Sequence, residues 1–180
     1  MPGKASRRLI IDASIARAAG REEAIHPTSK PCCEFLTTVL KVCHRIVITS
    51  DILQEWKKHQ SRFASTWLSQ MYGRKKVDDE VGVTTDNELR SKIKRQGDSE
   101  KDRAAMLKDI HLIEAAQATD QTVISLDETV RKLFNASAKH IGVFKNIIWV
   151  NPDKIDEQPF LWLKNGAKPE KKRLLGVDTQ

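Results

Sequence analysis

An α/β fold, with a three-layer α/β/α sandwich around a central and mainly parallel sheet, is what this sequence predicts, and three observations carry that expectation. Short runs rich in Ile and Val recur at Leu9-Ile10-Ile11, Ile46-Val47-Ile48, Thr122-Val123-Ile124 and Ile147-Ile148-Trp149-Val150. Between them lie longer stretches in which apolar residues return at helical spacing, the alternation expected of strands joined by crossover helices. The runs are apolar at successive positions, as suits strands buried on both faces.

Each helix has a local reason. Pro31 suits a first helical turn and opens the segment reaching Cys43,. There Cys32, Leu36, Val39, Leu40 and Cys43 fall at helical spacing, which predicts that the two end cysteines pack in a core. Asp51 with Gln54 resembles a capping box and predicts a helix running towards Tyr72. From Gly73 to Asp98 the chain is polar and charged, and reads as a flexible insertion with room for one short helix and little contribution to the core. Ser99 with Asp102 starts a helix ending near Thr119. Residues 1–155 are therefore expected to form one domain carrying the 73–98 insertion. Residues 156–180, with Lys168, Lys171, Lys172 and Arg173 beside Pro and Gly, are expected to be a basic, mobile tail.

Composition narrows the function classes. Lys and Arg number 31 against 24 Asp and Glu, a net charge of +7. Such an excess favours a polyanionic partner, because phosphate neutralisation rewards it, although a merely soluble basic protein has the same count. The three cysteines, Cys32, Cys33 and Cys43, form no CxxC pair, which disfavours zinc and dithiol chemistry and fits a reduced, intracellular protein. No stretch is apolar for the length a bilayer demands, so the reading is cytoplasmic, with no membrane partner. A nucleotide-binding switch is disfavoured, since neither a P-loop nor a Gly-rich dinucleotide turn is present.

Four acids fall at informative places. Asp12 ends the first apolar run and Asp127 the third, so both sit at the carboxyl ends of strands, where open parallel sheets bind ligands. Helix capping explains either one alone. Glu55 lies one turn into the helix after the second strand, where an ordinary exposed glutamate is the alternative. Asp109 is followed at three, four and seven positions by Leu112, Ile113 and Ala116, which puts it in the apolar stripe of its helix. A carboxylate there needs a cation or a basic partner. Four acids converging on one edge repel one another unless a divalent cation neutralises them. An all-oxygen set suits Mg²⁺ or Mn²⁺ better than zinc.

The ordered set resembles the PIN-domain nuclease family, which includes VapC-like ribonucleases. It comprises Asp12 after the first strand, Glu55 in Ser50-Asp51-Ile52-Leu53-Gln54-Glu55-Trp56, Asp109 in Lys108-Asp109-Ile110-His111-Leu112-Ile113-Glu114-Ala115-Ala116, and Ser125-Leu126-Asp127. The likeness covers roughly residues 8 to 150. It implies a metal-dependent endoribonuclease, often the toxin of a toxin–antitoxin pair and hence with an antitoxin as partner. Asp12, Asp109 and Asp127 would be metal ligands, Glu55 a ligand directly or through water, and Ser14 and Ser125 would support them by hydrogen bonds. The charged insertion and basic tail depart from a compact VapC-like chain. Glu114, a further acid, reads as a solvent-facing helix residue.

Two rivals remain at this point. An inactive PIN-like module that binds RNA or protein is disfavoured by the intact acidic set. A phosphatase attacking through the first-strand aspartate commonly has a second acid two residues on, where Ser14 stands here. For the nucleic acid, RNA before DNA, Lys57, Lys58, Arg62, Arg74, Lys75 and Lys76 lie on or just beyond the helix bearing Glu55 and could track a backbone. A homodimer is also expected, its patch supplied by the amphipathic stretch around Trp67.

Overall fold

The computed structural model describes residues 5–20, 28–96 and 98–177, so residues 1–4 and 178–180, the ends of the two expected segments, lie outside it. Five strands form one sheet: β1 (Arg8–Ile11), β2 (Arg45–Val47), β3 (Val77–Asp78), β4 (Thr122–Ile124) and β5 (Ile148–Val150). Their order is β3-β2-β1-β4-β5 and every pairing is parallel, with Leu9 opposite Ile46, Ile46 opposite Val77, Ile11 opposite Ile124, and Ile124 opposite Val150. The fold is α/β, a parallel sheet flanked by helices, consistent with three layers. Leu9, Ile10 and Ile11 of the central strand are at most 1% exposed, which is why that run is apolar at every position.

The helices are α1 (Ala13–Ala18), α2 (Ser29–Lys41), α3 (Ser50–His59), α4 (Arg62–Gly73), α5 (Asn87–Gln96), α6 (Glu100–Gln117), α7 (Glu128–Ser137) and α8 (Pro159–Lys164). Ser99 caps α6 by accepting the Asp102 N–H, as expected. The expected single helix from Asp51 to Tyr72 is corrected to two, and its cap is Thr49, whose hydroxyl accepts the Ile52 N–H. The break has a tertiary cause. Ser61 donates its backbone N–H to Ala16 O and its hydroxyl to Ala19 O, and it caps α4 by accepting the Ala64 N–H. Gly20 makes this approach possible, since a Cβ there would stand 2.5 Å from that of Ser61.

Two further expectations are corrected. Within residues 73–98, β3 pairs with β2, and α5 buries Leu89 and Ile93 against the core. Two apolar residues four apart were stripe enough to dock a helix whose other positions are charged. The described part of the tail is packed. Trp162, Leu163, Ala167 and Leu175 are buried, Leu174 bridges to Ile148, and the buried His44 ring meets Leu163 O through Nε2 at 2.9 Å. Arg7 donates its N–H to His44 Nδ1, so Nε2 carries the proton and donates.

The expectations for single side chains divide, with Cys32 in the core as expected. Cys32 is buried and burial pushes its thiol up to about 12, with Asp153 and Cys33 adding to the effect. Cys43 is exposed and not in the core. Trp56 and Trp67 are buried and stack at 5.9 Å, so the stripe named for a dimer patch is interior. Among the described residues no helix is long and apolar enough to cross a membrane.

Candidate active site

A parallel sheet in this order has its topological switch between β1 and β4, because the chain leaves β1 towards β2 and later returns past it to β4. Ligands bind at the carboxyl ends of strands at such a point. Asp12 follows β1 directly, and Ser125, Leu126 and Asp127 follow β4. Glu55 arrives on α3 and Asp109 on α6. All four acids line one cleft of about 120 Å³ with Ser14, Arg17, His59, Lys108 and His111.

Asp12 is held from both sides. Ser14 donates its hydroxyl to Asp12 Oδ2 at 2.5 Å and Ser125 donates to the same oxygen at 2.8 Å. Each serine is fixed in turn by a backbone N–H, from Leu126 to Ser14 Oγ and from Asp127 to Ser125 Oγ. With both hydroxyl protons spent, the 3.4 Å separation of the two serine oxygens is a contact and not a bond,. Asp12 Oδ1 has no hydrogen-bond partner among the described residues. From below, the Trp56 indole N–H donates to Ile11 O at 2.9 Å, one residue before the aspartate.

Asp127 does cap α7, since its Oδ1 accepts the Val130 N–H at 2.9 Å, and its other oxygen is left without a partner among the described residues. Capping and a role in the cleft are thus compatible. Glu55 lies 3.5 Å from His59 and 3.9 Å from Lys58. Asp109 is partly buried and accepts no hydrogen bond from the described residues. Burial pushes its carboxyl up to about 6; Asp12, Asp127 and Glu55 add to the rise, and Lys108 opposes it,.

Among the described residues no three His, Cys, Asp or Glu side chains meet at metal-binding distance. The carboxylates surround the cleft without converging at one point, as mutual repulsion favours. The donor set nevertheless fits a hard divalent cation. Its four carboxylates are hard oxygen donors, Asp12 Oδ1 and one Asp127 oxygen are open, and the partly buried Asp109 has no salt bridge or hydrogen bond among the described residues,.

Sequence reasoning missed four cleft residues, Arg17, His59, Lys108 and His111. His59 was open to discovery, because it stands four residues after Glu55 on the same helical face. Glu114 is corrected from solvent-facing to 6% exposed, with Arg90 forked onto it by two bonds of 2.8 Å and the Asp86 N–H donating to it. It belongs to the core and not to the cleft.

The basic set divides. Lys57, Lys58 and Arg62 are exposed on α3 and α4. Arg74, Lys75 and Lys76 precede β3 and lie at the amino ends of the strands, the opposite edge from the acids. Lys76 donates to the carbonyls of Val39, Leu40 and Val42 and closes the end of α2. Its ammonium is shifted down, first by burial and then by Arg74. Replacing Lys76 by Met leaves those carbonyls unsatisfied and should cost about 1–3 kcal/mol in denaturant unfolding. If the chain binds nucleic acid, the salt dependence of that binding should not change in this variant, and a shallower salt slope would assign Lys76 to the binding surface.

No protein-family model and no curated protein matches this chain. The functional reading therefore stands on the chain's own residues and their placement.

Proposed function

We propose that the chain is a metal-dependent endonuclease of the PIN type that hydrolyses phosphodiester bonds, in single-stranded RNA before DNA. The observation that carries this reading is the partly buried Asp109, brought by α6 into the same cleft as Asp12, Asp127 and Glu55. A protein that only bound a polyanion would gain nothing from lining one cleft with four carboxylates, since they repel both each other and the ligand.

In this reading Asp12, Asp109 and Asp127 hold Mg²⁺ or Mn²⁺, and Glu55 joins them directly or through water. The bound cation supplies polarisation of the phosphoryl oxygens, a lowered pKa for the attacking water and charge neutralisation at the leaving oxygen. Ser14 and Ser125 fix one oxygen of Asp12 and leave the other free for the cation,. Arg17 and Lys108 line the same cleft and offset the charge of an approaching phosphodiester,. A cleft of this size is small beside the roughly 300–1,000 Å³ of ordinary small-molecule sites. It suits one phosphodiester of a polymer lying across the surface.

The test is incubation of end-labelled single-stranded RNA and DNA of equal sequence with the parent protein and Mn²⁺. Internal cuts in RNA, with DNA cut more slowly, are expected. Equal cutting of both would move the substrate to nucleic acid in general, and cutting of neither would remove the activity. The toxin role and its antitoxin have a separate test in the neighbouring gene, where a small upstream frame encoding a DNA-binding protein would favour that role.

A further inference from the structure

A second cavity, of about 380 Å³, lies beside α7, the helix whose first residue follows Asp127, and five of its lining side chains are cations: Arg131, Lys132, Lys154, Lys172 and Arg173. They come from three segments that are distant in sequence, so the fold and not a local charge run assembles them. Glu128, Asp156 and Glu157 also line it, and ion pairs engage four of the five cations: Arg131 with Glu128 and Glu157, Lys154 with Glu128, and Lys172 and Arg173 with Glu170. Glu157 accepts from Arg131 at 2.9 and 3.4 Å, and Glu128 accepts from Arg131 at 3.3 Å and from Asn151 at 2.9 Å. Lys132 is exposed and has no ion pair among the described residues.

Arg173 is the informative member. It is 3% exposed, lies 5.2 Å over the Trp162 ring, and donates from Nε to Glu170 and from Nη2 to Glu157 O. Its Nη1 is buried with no partner among the described residues. A buried guanidinium nitrogen left unpaired is costly, and an anionic oxygen that reached it from the cavity would remove that cost. Guanidinium and ammonium groups gathered around a space of this volume match a phosphate group, which offers several acceptor oxygens to a forked donor.

We propose that this cavity is a phosphate-binding site, separate from the acid-lined cleft. Its position on α7 suits a phosphate of a nucleotide strand that also crosses the cleft: Arg131 is four residues from Asp127, about 6 Å along the helix axis. Only that choice of source rests on the nuclease reading; the same chemistry takes a free nucleotide or inorganic phosphate.

The experiment measures binding and not cleavage, so that it stands whether or not the protein is a nuclease. In an Asp12→Asn background without metal, inorganic phosphate and adenosine monophosphate are titrated by calorimetry and a fluorescent 12-nucleotide RNA by anisotropy. The parent background is compared with Lys132→Gln/Lys172→Gln and with a charge-matched control on α5 and α6, Lys94→Gln/Lys101→Gln. All four lysines are exposed, so the fold is retained. The cavity variant should lose roughly tenfold in RNA affinity, with a salt slope shallower by about 1–2, while the control keeps both. Weakened phosphate and nucleotide binding with RNA affinity unchanged also supports the site and makes a free ligand its occupant. Equal losses in the control, or no loss for any ligand, would overturn the proposal.

Discussion

Asp12→Asn and Asp127→Asn should each lower phosphodiester cleavage by roughly 10³-fold, the several kcal/mol that a bound cation contributes to the transition state. The asparagine keeps the shape of the side chain and removes the charge that holds the metal. Neither change should unfold the protein. At position 12 an amide oxygen can still accept from the Ser14 and Ser125 hydroxyls, and at position 127 it can still accept the Val130 N–H that starts α7,. Ser14→Ala and Ser125→Ala should lose less, about 10- to 100-fold in metal affinity or activity, because they orient a ligand and do not supply one. Cleavage rates beside circular dichroism of each variant separate these effects. Undiminished cleavage in Asp12→Asn would remove that residue from the chemistry.

Asp109→Asn should make the metal-free protein more stable at neutral pH while abolishing cleavage. The folded carboxyl titrates at about 6, whereas the unfolded one titrates near 3.9. Between about pH 4 and 6 the native state therefore holds a proton that the unfolded state has released, and stability falls as pH rises through this window. Above it both states are ionised and the full penalty persists. Allowing for solvent screening at a partly buried group, it amounts to roughly 1–2 kcal/mol. The asparagine variant carries no such penalty. Its unfolding free energy should be flatter across the window and higher than the parent's at pH 7.5. Added Mg²⁺ should stabilise the parent more than the variant, because a cation that binds the native state shifts the equilibrium by mass action. Were Asp109 instead the partner of a buried base, its replacement would destabilise the protein at that pH.

Much of the cleft was legible because its acids interrupt strong apolar patterns. Asp12 and Asp127 end strand runs, and Asp109 sits in a stripe continued by Ile113 and Ala116. What the sequence could not show was set by contacts distant in the chain. The strand Val77–Asp78 is two residues long and has no periodicity to read. The break at Ser61 is made by the carbonyls of Ala16 in α1 and of Ala19 just after it, some forty residues earlier. Glu114 was unreadable for the same reason, since its partner Arg90 lies on α5, in the stretch read as an insertion. The lysines of the tail drew attention from Trp162 and Leu163 before them and Leu175 after them, which are buried.

The most direct measurement of the central claim is cleavage of an end-labelled single-stranded RNA by the parent protein, first stripped with a chelator and then supplied with Mg²⁺ or Mn²⁺. No cleavage in chelator, recovery on adding either metal, and no recovery in Asp12→Asn are predicted. Cleavage that persists in chelator, or none of any nucleic acid at any metal concentration, would contradict the account.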